Sequence, residues 1–264
     1  MSEEFRDIYE FDLQDVPLSC TWVIIGPPGS GKTSLIENIA YYHKHRYATA
    51  KVFMGTPGAY KRMCSIFPPL FVSGSYDEEE LKDHITRQRT CIQENNNDIN
   101  LNPGDPGYVG NYSLVILDDV TDDPKIFKTK IMRGIFKLGS QHWAELCLVG
   151  SQYALDMPPD TRKSVSYVAL FREPEENERR KLYDNFGGLA GTYKEFCALM
   201  DGITGDYTCL IFKKRGQSNS SVENVFYYKT INPADLGDWK FGCEEYRRHG
   251  EERYNKKFKE VVEY

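Results

Sequence analysis

Short apolar runs alternate with longer stretches whose apolar positions recur at helical spacing, over roughly the first 190 residues of the chain. Thr21–Ile25 is a β-rich apolar run closed by Gly26 and predicts a buried strand. Lys32–His43 places Leu35, Ile36, Ile39 and Ala40 on one face of a helix. Ala50–Met54 predicts a second strand, stopping at Thr56-Pro57-Gly58, a turn signal. Asp77–Gln93 is charged, with Leu81, Ile85 and Ile92 near helical spacing, and Asn95–Gly110 predicts a loop, a flexible insertion. Ser113–Leu117, Glu145–Val149 and Tyr167–Phe171 predict three further strands. Pro124–Leu138 lies between the first two as a helix burying Ile126, Ile131, Ile135 and Leu138. Pro174–Phe186 and Thr192–Met200 predict helices, and Tyr207–Phe212 and Val225–Tyr228 a hairpin around the polar loop Arg215–Ser221. The last thirty residues predict a helix packed on the core through Trp239, Phe241 and Tyr246. Strands alternating with helices imply βαβ units and a mainly parallel sheet flanked by helices. The expected organisation is a polar, acidic N-terminal arm over 1–20, an α/β domain over 21–230 and a C-terminal helical tail over 231–264.

Composition narrows the classes. With 264 residues, 40% hydrophobic and 27% charged, the chain is of ordinary globular make-up. Its longest apolar runs, around Trp22–Ile25 and Leu114–Leu117, fall far short of the ~20 residues a membrane span needs. The acidic start MSEEFRDIYE lacks the apolar core of a signal peptide. Seven scattered cysteines without zinc spacing imply reduced thiols. His43 and His45, at the end of a predicted helix, are expected at the surface rather than on a metal. A net charge of −6 argues against a protein coated in basic residues for passive DNA binding. Composition alone gives nothing in favour of a nucleic-acid partner.

The chemistry begins at Gly26-Pro27-Pro28-Gly29-Ser30-Gly31-Lys32-Thr33, a complete G-x-x-x-x-G-K-[ST] between a predicted strand and a predicted helix. A loop that wraps a polyphosphate needs glycines for unusual dihedrals and inward backbone N–H groups forming an anion nest. Pro27 and Pro28 have no N–H, so Gly29 through Thr33 must supply the donors, and the helix start adds its positive end. Gly26, Gly29, Ser30, Gly31, Lys32 and Thr33 are therefore the nucleotide-binding residues, with Lys32 reaching the β and γ phosphates and the Thr33 hydroxyl binding Mg²⁺.

Ser113–Leu117 runs into Asp118 and Asp119. Acids at the carboxyl end of a strand face the crevice where open α/β sheets bind ligands. Asp118 is expected to hold Mg²⁺ through water, and Asp119 to orient the attacking water. Leu146–Val149 leads through Gly150 and Ser151 to Gln152, whose amide can both donate and accept. Gln152 would lie near the γ-phosphate if its strand neighbours the other two.

Together these elements resemble the FtsK–HerA superfamily of ring motors. The wider segments YHKHRYATAKVFMGT, HITRQRTC, LDDVTDDPKIFKTKIMRGIFKLGSQHW, GSQYALDMPPDTRKSVSYVALFREP and GDYTCLIFKKR are similar to the packaging ATPases of nucleocytoplasmic large DNA viruses, the algal-virus branch in particular. The resemblance covers most of residues 20–230. It implies an α/β, RecA/FtsK-like P-loop NTPase core and an ATP-hydrolysing, Mg²⁺-dependent motor. It further implies a homo-oligomeric ring, pentameric or hexameric, that moves double-stranded DNA into a capsid beside capsid or portal-vertex proteins. The expected setting is the host cytoplasm, at the viral factory, and the virion. The resemblance also implies an arginine finger reaching across subunits. Some relatives carry an arginine where this chain reads Gly139-Ser140-Gln141-His142, so the candidates here are Arg133 and Arg162, with Arg172 a third. Candidate DNA contacts are Lys125, Lys128 and Lys130, or Lys213-Lys214-Arg215. Two other readings use the same cradle: a nucleotide-kinase-like phosphotransferase, with Arg179-Arg180-Lys181 as part of a lid, and a non-catalytic, nucleotide-dependent virion scaffold.

Overall fold

The computed structural model describes residues 8–97, 111–120, 123–153, 157–215 and 220–255. The chain opens with a two-residue strand, β1 (Tyr9–Glu10), and a short 3-10 turn over Leu13–Asp15. There follow β2 (Cys20–Ile25), α1 (Lys32–His43), β3 (Thr49–Met54), α2 (Pro57–Ile66), β4 (Val72–Ser73), α3 (Glu78–Asn97) and β5 (Ser113–Asp118). A broken helical segment comes next: a 3-10 turn at Ile126–Lys128, α4 (Lys130–Gly134), a π-turn at Ile135–Gly139 and α5 (Ser140–His142). The rest is β6 (Glu145–Ser151), α6 (Pro159–Ser164), β7 (Tyr167–Leu170), α7 (Glu176–Phe186), α8 (Tyr193–Ile203), β8 (Thr208–Lys213), α9 (Ser221–Asn224), β9 (Val225–Lys229) and α10 (Glu244–Arg253).

The strands form one nine-stranded sheet in the order β1-β9-β8-β7-β2-β6-β5-β3-β4. Every pairing is parallel except β7–β8 and β8–β9, and the second of these is the expected C-terminal hairpin. Successive strand residues face opposite ways, so the sheet carries two cores. Trp22, Ile24, Val52, Ile116 and Leu148 face one way, with Leu35, Ile36 and Ile39 of α1. Val23, Ile25, Val115, Leu117 and Val149 face the other, with Leu81 and Ile85 of α3 and Phe196 of α8. Among the described residues no helix is long and apolar enough to cross a membrane.

Four local expectations are corrected. Pro57 opens α2 instead of ending a turn, because at the first helical position its missing N–H would go unused anyway. The segment expected as a regular helix over 124–138 changes pitch twice. Each change rotates the buried face, so Phe127, Met132, Ile135 and Phe136 are buried and Leu138 is 42% exposed. His43 is fully buried, not superficial: Leu13 folds over the end of α1 and its carbonyl oxygen lies 2.7 Å from His43 Nε2. Burial holds that imidazole below its usual pKa. The polar N-terminal stretch is tied in from Tyr9, pairing with β9 and burying Phe11, Leu13 and Val16. The C-terminal aromatics Trp239, Phe241 and Tyr246 are buried, and the Tyr246 hydroxyl donates to Ala50 O at 2.9 Å. Asn95–Asn97 extend α3, while 98–110 of the expected insertion lies outside the described residues.

Candidate active site

β2 is apolar on both faces, so the chain leaves the middle of the sheet directly into the loop Gly26–Thr33 and then α1. Gly29 and Gly31 adopt φ of 74° and 113°, a region that favours glycine. At Gly26 the demand is space: a Cβ there would lie 2.7 Å from both Ser30 Oγ and Phe171 Cβ. Lys32 is 5% exposed, and its ammonium donates to Gly26 O at 2.9 Å and Pro27 O at 3.2 Å. The amine is thus held inside the turn of the loop.

The decisive placement is tertiary. β6 lies between β2 and β5, so the carboxyl ends of all three strands meet at one edge of the sheet. There the Thr33 hydroxyl donates to Asp118 Oδ2 across 85 residues of sequence. Asp118 is fully buried, and its Oδ1 has no hydrogen-bond partner. Register puts Gly150 of β6 opposite Asp118. A Cβ at Gly150 would come within 1.9 Å of Asp118 Oδ1, so glycine is what leaves room for the carboxylate. Gly55, just past β3, serves the neighbouring acid: a Cβ there would lie 1.8 Å from Asp119 O. Asp119 takes a φ of 52°, and its Oδ1 is also buried without a partner.

Burial pushes the Asp118 carboxyl up to about 6, and the charge of Asp119 adds to the effect. The Thr33 hydrogen bond and the Lys32 ammonium pull it back. A carboxylate desolvated at this depth gains from a cation. The available donors are hard oxygens, those of Thr33, Asp118 and Asp119, and two of them are buried orphans. Among the described residues no cluster of three or more His, Cys, Asp or Glu is poised to cage a metal. A few hard protein oxygens, completed by water and phosphate, are the donors that Mg²⁺ prefers.

Gln152 follows β6 directly, half-buried at the same edge. The structure therefore brings together Lys32, Thr33, Asp118 and Asp119, with Gln152 one residue past the end of the strand that lies between β2 and β5. It does not bring Arg133 or Arg162 to the loop of their own chain. Arg133 lies half-exposed on α4, 3.7 Å from Asp160, which also accepts from Lys137 at 3.0 Å. Arg162 is half-buried on α6, its backbone carbonyl accepting from Lys214 at 3.1 Å. Arg172 sits beside the phosphate loop, donating to Thr204 O at 3.0 Å. Lys125, Lys128 and Lys130 are exposed and, among the described residues, make no ion pair. Lys214 is turned inward over the Phe186 ring.

A buried ion pair anchors the helix that leaves the loop. Glu37 of α1 is 1% exposed, and Arg62 of α2 donates to it through Nε and Nη2. Sequence reasoning missed Gly55, Gly150, Phe171 and Tyr207. Only Gly150 carries a signal, a small residue in an apolar strand next to Ser151.

No protein-family model matches the chain. It is 37% identical over 237 residues to the uncharacterised protein 075L of invertebrate iridescent virus 6, covering 89% of this chain and 86% of that one. The chain belongs to this family of large-DNA-virus proteins. The uncharacterised protein 088R of invertebrate iridescent virus 3 is another relative, 34% identical over 229 residues, covering 86% and 82% of the two chains. Among solved structures, the genome packaging NTPase B204 of Sulfolobus turreted icosahedral virus 2, in complex with AMP, superposes with a TM-score of 0.56. The match is 14% identical and covers 82% of this chain and all of that one (100%). The conjugation coupling protein TcpA of pCW3 superposes with a TM-score of 0.54 at 12% identity, covering 86% of this chain and 65% of that one. The fold is that of the FtsK-type P-loop ATPases, and the viral relatives agree with the resemblance read from the sequence.

Proposed function

We propose that this chain is the ATP-hydrolysing subunit of a ring motor that drives double-stranded DNA into a viral capsid. The observation that carries the reading is the junction of the phosphate loop, the paired Thr33 and Asp118, and Gln152 at the ends of three adjacent strands. The fold it shares with a viral genome packaging NTPase supports the same conclusion.

The residues divide the work. Backbone N–H groups of Gly29 through Thr33 and the Lys32 ammonium cradle the phosphates. The Thr33 hydroxyl, and ionised Asp118 through water, would hold Mg²⁺, which would supply charge neutralisation at the phosphate oxygens. Asp119 and Gln152 orient a water for in-line attack on the γ-phosphate, the amide donating to phosphate and accepting from water. Arg133 or Arg162 reaches the site of a neighbouring subunit in a pentameric or hexameric ring. Lys125, Lys128 and Lys130 follow the Asp118–Asp119 strand end and are the DNA contacts we favour over Lys213–Arg215, because Lys214 is tied internally. The motor works in the host cytoplasm, at the viral factory, against a capsid or portal-vertex partner.

The phosphotransferase reading loses support from its own lid. Arg179 donates to Glu173 O and to Asp201, and Arg180 pairs with Asp184 at 3.2 Å, so both are committed on α7. The test is steady-state phosphate release from ATP with no added acceptor, with and without double-stranded DNA at low salt. Release stimulated several-fold by DNA is expected. Release indifferent to DNA overturns the translocation step, and dependence on an acceptor overturns hydrolysis. Mixing Arg133→Ala or Arg162→Ala subunits with Asp119→Asn subunits identifies the finger by restored turnover; no restoration with either removes both.

A further inference from the structure

Beside the phosphate loop opens a cavity of about 500 Å³, lined by Pro27, Pro28, Phe171, Arg172, Asp206 and Tyr207, among others. Its size suits a nucleoside. One wall is unusual. Tyr207 is 57% exposed, one of the few large aromatic side chains left in solvent. It stands on a turn that holds three residues in the left-handed half of conformational space: Gly205 at φ 157°, Asp206 at 48° and Tyr207 at 60°. Two of these are not glycine, and L side chains rarely adopt that conformation.

The turn is held from every side. Thr208 N donates to Gly205 O at 2.9 Å, and Thr230 donates to Tyr207 O at 3.1 Å through both its backbone N and its hydroxyl. Lys229 pairs with Asp206, and Arg172 donates to Thr204 O at 3.0 Å. The result places the Tyr207 ring against the cradle: its Cδ1 lies 3.3 Å from where a Cβ on Gly31 would be. Phe171 closes the other side of Gly31, its Cε1 3.0 Å from the same point. Phe171 is buried; Tyr207 keeps its ring open to the cavity. A strained, braced and exposed aromatic next to a phosphate site is what stacking on a flat ring requires.

Resting on the nucleotide reading above, we infer that Tyr207 is the platform on which the purine base stacks, and that it takes adenine and guanine alike. The second half follows from the polar groups near it. The two charged side chains of the cavity are engaged with protein partners, Asp206 with Lys229 and Arg172 with Thr204 O, and the rest of the lining is proline, glycine, aromatic and the hydroxyls of Ser30 and Thr208. Recognition is then by the π-face, which every purine presents, rather than by hydrogen bonds that distinguish one base edge from another. Arg172 belongs to this base side of its own subunit, not to a neighbour's γ-phosphate.

Calorimetric titration with Mg²⁺ tests this, using wild type, Tyr207→Phe and Tyr207→Ala, against ATP, GTP and inorganic tripolyphosphate. Alanine keeps a Cβ at the left-handed position, so it meets the same backbone demand as tyrosine. Wild type is expected to bind ATP and GTP within about threefold of each other, and Tyr207→Phe to match it. Tyr207→Ala is expected to weaken both nucleotides about tenfold and to leave tripolyphosphate unchanged. Unaltered ATP binding by Tyr207→Ala overturns the platform. So does equal loss of tripolyphosphate, which would make Tyr207 a shaper of the loop. An ATP preference of about thirtyfold or more in wild type overturns the tolerance of either purine. If wild type binds tripolyphosphate and neither nucleotide more tightly, the platform fails and the cradle stands. If it binds none of the three, the cradle reading fails and the platform with it.

Discussion

Asp118→Asn sets stability against function, and the structure fixes both signs. The carboxyl is fully buried, and burial with the neighbouring charge of Asp119 raises its pKa from 3.8 to about 6. Because the folded value lies above the unfolded one, the group costs nothing well below pH 4. The cost grows as pH rises from about 4 to 6 and is complete above that. At ~1.4 kcal/mol per pH unit, the gap amounts to about 3 kcal/mol at pH 7.5. An uncharged amide of the same shape escapes most of it, and it can still hydrogen-bond the Thr33 hydroxyl. Urea unfolding followed through the three tryptophans, in reductant and without Mg²⁺ or nucleotide, should show Asp118→Asn more stable by about 2–3 kcal/mol at pH 7.5. For a chain of this size that is about 5–10 °C in Tm. The gain should halve by about pH 5 and shrink to about 0.5 kcal/mol near pH 4. The same variant should lose hydrolysis, since the cation site loses its charge. A variant no more stable than wild type at pH 7.5, or a gain that ignores pH, would refute the argument that Asp118 is a desolvated carboxylate held for a cation.

Other expectations follow from the same geometry. The kcat/KM for ATP should fall below about pH 6 with a one-proton slope, because protonated Asp118 cannot serve a cation; a flat profile down to pH 5 counts against this. Lys32→Ala should cut phosphate release at least ~100-fold with the melting curve little changed, and normal turnover would sink the site assignment. Gly150→Ala drives a methyl group into Asp118 Oδ1, 1.9 Å away, and should reduce kcat about tenfold or more. Arg62→Ala strands buried Glu37 and should cost about 3 kcal/mol, near the low end because Arg62 is 33% exposed. Adding Glu37→Gln should recover much of that loss in denaturant titration.

Much of the fold is legible because its signals are local. The strands that become β2, β3, β5, β6 and β7 stand out as apolar runs, since central parallel strands are buried on both faces. The phosphate loop is readable because eight contiguous residues carry its whole chemistry. Where expectation and structure part, a distant contact decides. Local pattern takes Pro57 for a turn, although α2 buries Met63 and Ile66 behind it. Regular periodicity carried through 124–138 misses the π-turn at Ile135–Gly139, which rotates Leu138 outward. His43 reads as the end of an amphipathic helix, and only the return of Leu13 over it shows otherwise.

Local pattern was enough for the central strands, the cradle and the acids, because dihedral demands, anion nests and apolar runs act over a few neighbouring residues. Tertiary structure alone decided that β6 inserts between β2 and β5, which makes Thr33, Asp118 and Gln152 parts of one site. It also decided that Gly150 leaves room for the Asp118 carboxylate and Gly55 for the Asp119 backbone, and that Tyr207, 176 positions from Gly31 by number, stands over the same loop. Strand order and close approach depend on packing between segments far apart in the chain, and no local pattern of residues encodes that packing.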